Sequence, residues 1–179
     1  MNIHPLFVHF PIGLLALYSI LEIAAWMSPC LRRQTWLLSV KAFLLFAGAL
    51  GAFAALYTGG VAEDLIRHTS PNAYILEAHA PFAGATTLLY VIICAAYLVR
   101  IFDVRGWGSR IVGENKFFGA LWNFKKRFWY AILTSWLLPL IALLAFIGLT
   151  ITGALGAAIV YGPNIDPLVS FVYHLFWVN

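Results

Sequence analysis

Histidines that precede prolines open two long apolar segments of this sequence. His9 lies in residues 4–11 (HPLFVHFP), and His79 begins His-Ala-Pro-Phe. An imidazole near the end of an apolar helix is costly unless it forms a hydrogen bond or binds a metal. The matched positions of His9 and His79 therefore predict a pair of axial ligands to haem b. Anchoring at the membrane interface, with each ring bonded to a carbonyl group, is the alternative.

The elements that must position these histidines are membrane-spanning helices. The chain is 63% hydrophobic and 10% charged, whereas soluble domains are roughly half apolar and a quarter charged. A bilayer core needs roughly 20 apolar residues per helix. Four segments meet this requirement, at about residues 9–28, 36–58, 79–100 and 133–161, and Pro139 predicts a kink in the last.

The basic residues indicate the orientation of these helices. Ten of the eleven Lys and Arg residues lie in or beside the first and third connections, and the exception is Arg67. Connections rich in Lys and Arg stay in the cytoplasm, so both termini are expected outside. This segregation of charge gives no indication of nucleic-acid binding.

Two further segments are predicted to be short interfacial helices. Aromatic and basic residues alternate at helical spacing over 114–130, which is typical of a helix lying in the membrane surface. Asp166-Pro167 is a favourable helix start, and the segment 167–178 that follows is too short to span a bilayer. The predicted fold is a single all-α membrane domain, residues 1–179, with four transmembrane helices.

An internal repeat relates the two halves of the chain. The sequence Gly-Ala-Leu-Gly-Ala occurs at 48–52 and again at 153–157. The chain is therefore predicted to form two parallel hairpins, about residues 4–66 and 77–166, the second with a cytoplasmic insertion at 101–130. Gly51 and Gly156 would allow close approach of a flat cofactor, or simply of two helices.

Other polar residues offer weaker candidates for a site. His4 and His174 are secondary candidates, for a second site or for haem propionates, whereas His68 is expected to be solvated in a polar loop. Copper or zinc is an alternative cofactor, because imidazole and carboxylate ligands suit these metals. The carboxylates expected on the outer side are Glu63, Asp64, Glu77 and Asp166. For Asp64 and Asp166, capping or terminating a helix is the simpler interpretation.

Two opposite charges fall inside predicted spans. Glu22 lies in the first apolar segment and Lys41 in the second, at similar depth. Charges inside a membrane are expensive unless they pair. An intramembrane ion pair is therefore predicted, and a role for Glu22 in a proton pathway is the alternative.

Four features of the sequence point to one family. They are the opening histidine-proline motif, Ala62-Glu63-Asp64 at the end of the second helix, His79, and the run from Thr152 to Tyr161. Together they resemble a bacterial family of predicted membrane proteins, domain of unknown function number 2231. The resemblance covers nearly the whole chain. It implies four helices and the inner membrane, and no established reaction. Members of that family carry a His-Gly turn after the last tyrosine, where this chain has residues 162–166 instead, so His174 is a candidate replacement.

The functional expectation is a b-type haem electron-transfer subunit that is not an enzyme by itself. Family members that look fused or adjacent to c-type cytochromes point to redox function by association. The expected partners are the lipid bilayer, other membrane subunits or an extracytoplasmic cytochrome, and a quinol. A structural subunit of a larger respiratory or photosynthetic complex is the main alternative.

Overall fold

The computed structural model describes residues 4–112 and 116–177, and it describes all side chains in these ranges except those of 4–7, 109, 111–112 and 116. The regular structure of these residues is entirely helical. The helices are α1 (His4–Met27), α2 (Pro29–Arg32), α3 (Leu37–Thr69), α4 (Leu76–Val104), α5 (Trp107–Val112), α6 (Lys116–Thr134), α7 (Leu137–Tyr161) and α8 (Pro167–Phe176), and a 3₁₀ turn, Ala73–Ile75, precedes α4.

Four of these helices are long and apolar enough to cross a membrane, as predicted. They are α1, α3, α4 and α7. Large apolar side chains such as Phe43, Leu50 and Leu88 are exposed on their outer faces. In a bilayer these side chains face lipid, while the helix satisfies its own backbone hydrogen bonds. The chain is a multi-pass membrane protein.

The four spans form two antiparallel hairpins that pack into a bundle. α1 packs against α3 and α4 packs against α7, while α1 also contacts α7 and α3 also contacts α4. α1 and α4 therefore lie on a diagonal and run in the same direction. Glycine permits close packing: a methyl group at Gly48 would lie 2.6 Å from Cδ2 of Leu15 on α1. The internal repeat itself stays a prediction.

Two predictions about helix ends are wrong. The second span was expected to end near Thr58, but α3 continues to Thr69, so Asp64 lies inside the helix and does not terminate it. The extension is amphipathic and carries an ion pair between Arg67 and Glu63, one turn apart. Pro139 is the third residue of α7. A proline in the first turn removes no helical hydrogen bond, so it produces no kink there.

The two ends of the bundle differ in character. The basic end comprises residues 28–36, 100–112 and 116–136. There, Lys126 and Tyr130 of α6 bond to Asp103 of α4 at 3.2 and 3.1 Å. At the opposite end, α8 packs on α7 through buried Val169 and Val172. Asp166 caps α8 as predicted, because its side chain accepts a hydrogen bond from the Val169 amide at 2.9 Å.

Candidate functional site

His79 packs in the seam between α4 and α7. Its ring is half-buried, and Nδ1 lies 3.1 Å from the carbonyl oxygen of Thr152. A methyl group at Gly156 would lie 3.3 Å from the ring carbon Cε1. A carbonyl oxygen only accepts, so Nδ1 carries the proton, and in the neutral ring the lone pair is on Nε2. Histidines that bind metals use this arrangement, because the second hydrogen bond fixes the tautomer and the ring orientation.

His9 lies at the same level of the bundle but on a different face. Ser19 of α1 bonds Tyr90 of α4 at 2.9 Å, and counting back along these parallel helices places His9 level with residue 80. His9 is exposed, and it lies about 160° around α1 from the buried Pro11, since each residue turns the helix by roughly 100°. The fold thus brings His9 and His79 to one end of the bundle but turns only His79 inward.

The two predicted cofactor-facing glycines contact the histidine-proline motifs of their own hairpins. A methyl group at Gly51 would lie 3.1 Å from the Pro11 ring, just as Gly156 lies against His79. In each hairpin, a glycine of the Gly-Ala-Leu-Gly-Ala sequence therefore contacts a ring on the other helix. The contact of these glycines with a cofactor stays a prediction.

The remaining histidines are dispersed. His4 is the first residue of α1, and its side chain lies outside the described part of the chain. His174 is exposed on α8 with an edge contact to the Tyr173 ring, and His68 is exposed in the last turn of α3 rather than in a loop. Among the side chains that the structure describes, which exclude that of His4, no three His, Cys, Asp or Glu residues are grouped to hold a metal ion. Copper or zinc as the cofactor stays a prediction.

A polar cluster lies deep in the bundle near the basic end. Lys41 Nζ is 2.8 Å from Glu22 Oε1, which confirms the predicted ion pair. Tyr18 and Tyr97 donate to the other carboxylate oxygen, Oε2, at 3.0 and 2.7 Å. All four residues are buried. Glu22 therefore accepts hydrogen bonds from three helices, α1, α3 and α4, and joins them at one point.

A second polar contact lies one to two turns away towards the opposite end. Tyr90 of α4 shares a hydrogen bond with Ser19 at 2.9 Å and donates to the Leu15 carbonyl at 3.4 Å. The rings of Tyr90 and Tyr97 both meet the Tyr18 ring edge-on, at centroid distances of 6.4 and 6.0 Å. Sequence reasoning overlooked these tyrosines. The signal was present, because Tyr18 lies four residues before Glu22, and Tyr90 and Tyr97 lie seven residues apart on one helix face.

Comparison with known proteins identifies the family. A family model described as "Predicted membrane protein (DUF2231)" matches residues 1–166. The chain belongs to the DUF2231 family. Neither the curated proteins nor the solved structures include a match to it. The sequence resemblance is thereby confirmed, and the matched region contains both His79 and the Glu22 cluster.

This DUF2231 protein therefore has two regions with distinct chemistry. At the opposite end, His79 provides one imidazole whose tautomer suits ligation of a metal through Nε2. Towards the basic end, Glu22 and Lys41 form a paired and hydrogen-bonded charge cluster. Because Glu22 accepts hydrogen bonds from Tyr18, Lys41 and Tyr97, this cluster joins α1, α3 and α4.

Proposed function

We propose that this DUF2231 protein is a b-type haem electron-transfer subunit of a bacterial inner membrane, with His79 as an axial ligand. The observation that carries the proposal is the bond from His79 Nδ1 to the Thr152 carbonyl. A histidine that only anchors at the interface can bond a carbonyl group in the same way, but it does not require a fixed tautomer. A ligating histidine does, because ring orientation and basicity tune the metal.

The predicted second axial ligand is His9. Its level in the bundle supports the pairing, while its exposed position on the outer face of α1 does not. The proposal therefore depends on His79 alone, and His9 is tested separately below. Haem is preferred to copper or zinc because a haem iron needs only one or two protein ligands, whereas a zinc site uses three or four.

The proposed orientation follows from the charge distribution. With the basic end in the cytoplasm, both termini and His79 lie on the extracytoplasmic side. A haem there would exchange electrons with an extracytoplasmic cytochrome or a quinol. An extracytoplasmic cytochrome and a quinol are also the redox partners expected from the sequence.

A reduced-minus-oxidised visible spectrum tests the proposal. The full chain is purified in detergent after expression with added haem precursor. We expect b-type bands at about one haem per chain. His79→Gly should lose them, and added imidazole should restore them in part, because the small ligand can occupy the vacated position.

Matched variants separate ligation from folding. His68→Gly removes an exposed histidine from the last turn of α3 and should leave the spectrum unchanged. If His9 is the second ligand, His9→Gly should convert a six-coordinate low-spin spectrum to a five-coordinate high-spin one. A folded, helical protein that stays colourless at saturating haem would refute the proposal.

A structural subunit of a larger membrane complex is the second candidate function. The observation that favours it is the face of α6 that exposes Phe117, Phe118, Phe124 and Phe128. Aromatic side chains are enriched where protein surfaces meet. Under this proposal His79 only joins α4 to α7, and its replacement would release partner subunits during purification without any change in colour.

A further inference from the structure

A cleft opens at the basic end of the bundle and reaches inward to the Glu22 cluster. Its volume is about 550 Å³. Its floor is formed by Glu22, Lys41 and Tyr97, and its rim by residues of the two basic connections. The cleft lies where α1 and α4 end and where α3 and α7 begin, at one end of the four spans.

The charge in this cleft is strongly unbalanced. Four basic side chains and one acidic side chain line it: Arg32, Arg33, Lys41, Arg100 and Glu22. Lys41 and Glu22 neutralise each other at 2.8 Å. The three guanidinium groups of the cleft therefore have no second carboxylate among its lining residues. A concave basic surface of this kind attracts anions.

Arg100 gives the clearest indication of a ligand. Its Nε atom is buried, and no residue in the described ranges accepts a hydrogen bond from it. An unsatisfied buried donor is rare, and a charged one is especially costly. Arg100 also lines the cleft, so an anionic oxygen bound there would contact its guanidinium group. Phosphate suits arginine because the planar fork of donors matches its oxygens.

We infer that the cleft binds the phosphate headgroup of an anionic phospholipid through Arg100, Arg32 and Arg33. The walls favour a lipid over a free phosphate compound, because Leu37, Leu133 and Leu138 line the same cleft as the arginines. These apolar side chains would contact the glycerol and the first acyl carbons. Basic pockets between transmembrane helices are a known mode of headgroup recognition.

This site is separate from His79 and independent of the proposed haem function. Arg100 lies 21 residues after His79 in the same helix, which corresponds to about 30 Å along the helix axis at 1.5 Å per residue. Loss of haem would leave the lipid site intact, and loss of the lipid site would leave the visible spectrum unchanged. The two proposals therefore fail independently.

Native mass spectrometry of the full-length protein tests the inference. Delipidated protein in a neutral detergent is titrated with phosphatidylglycerol, and separately with phosphatidylcholine of the same acyl chains. We expect phosphatidylglycerol to bind with a stoichiometry of one and at least tenfold tighter. Arg100→Gln should weaken that binding about tenfold or more, since a hydrogen bond between charged groups is lost.

The control variant is Lys125→Gln, which removes an exposed basic residue of α6 that does not line the cleft. It should bind phosphatidylglycerol as the parent does. The double variant Arg32→Gln/Arg33→Gln should lose affinity, and because both side chains are exposed, its folding is not at risk. Each variant's helical content and melting temperature without lipid are recorded alongside.

Three results would overturn the inference. Equal binding of the two lipids would exclude recognition of an anionic headgroup. Equal losses in Arg100→Gln and Lys125→Gln would mean that general surface charge, and not the cleft, binds the lipid. Soluble glycerol phosphate that binds as tightly as phosphatidylglycerol would show that the site takes free phosphate compounds instead.

Discussion

Replacement of Glu22 by glutamine is the sharpest test of the buried cluster. One carboxylate oxygen bonds Lys41 at 2.8 Å, and the other accepts from both Tyr18 and Tyr97. Glutamine has a single acceptor oxygen and an amide group that only donates. If its oxygen faces the tyrosines, its NH₂ group opposes the Lys41 ammonium. With its oxygen towards Lys41, its NH₂ group can donate to the tyrosine hydroxyl oxygens. In neither orientation does Glu22→Gln supply a negative charge opposite the Lys41 ammonium.

The expected cost is large because the charge of Lys41 would remain buried without a partner. Glu22 is 5% exposed and Lys41 is 9% exposed. Removing one partner of a buried pair costs about 3–5 kcal/mol, whereas replacing both partners by neutral groups of similar size is often close to neutral. The double variant Glu22→Gln/Lys41→Met should therefore be more stable than Glu22→Gln alone, and the two changes should be strongly non-additive.

Unfolding in mixed detergent micelles with increasing SDS, followed by tryptophan fluorescence, measures these free energies. Glu63→Gln is the matched control, since it makes the same change in the exposed Glu63–Arg67 pair and should cost less than about 1 kcal/mol. The reasoning is refuted if Glu22→Gln costs no more than Glu63→Gln. It is also refuted if the double variant loses the sum of its two single variants.

Two further perturbations test packing and the surface helix. Gly48→Ala should destabilise the protein by about 1–3 kcal/mol, because its methyl group would lie 2.6 Å from buried Leu15. Gly13→Ala is the control: no atom lies within 4 Å of the added methyl group, so it should stabilise by up to about 1 kcal/mol. Equal effects of the two variants in the same SDS titration would contradict this. Burial, with the bond to Asp103, raises the pKa of Tyr130. Below the ordinary tyrosine pKa of about 10, the phenol is neutral and its full contribution to the stability of α6 is present. That contribution declines as pH rises through the raised pKa. Tyr130→Phe should therefore reduce the fall in melting temperature at alkaline pH.

Much of the fold was predictable because the bilayer restricts it. Segment length and the absence of charge define a span, and the pairing of Glu22 with Lys41 followed from the cost of unpaired charge in lipid. The cap at Asp166 followed from local chemistry. The end of α3 was not predictable in the same way, because residues 59–69 are polar enough for a loop and remain helical beyond the apolar segment.

Sequence alone thus determined the number of spans, their apolar limits and the end of the bundle at which the basic residues collect, since these depend on local composition. Only the tertiary structure decided which faces meet. His9 and His79 occupy equivalent positions in the sequence, yet Pro11 packs on Gly51 and turns His9 outward, while His79 itself packs on Gly156. Tyr97 reaches Glu22 across 75 residues of chain. The rotation of each helix about its axis depends on such contacts between distant residues.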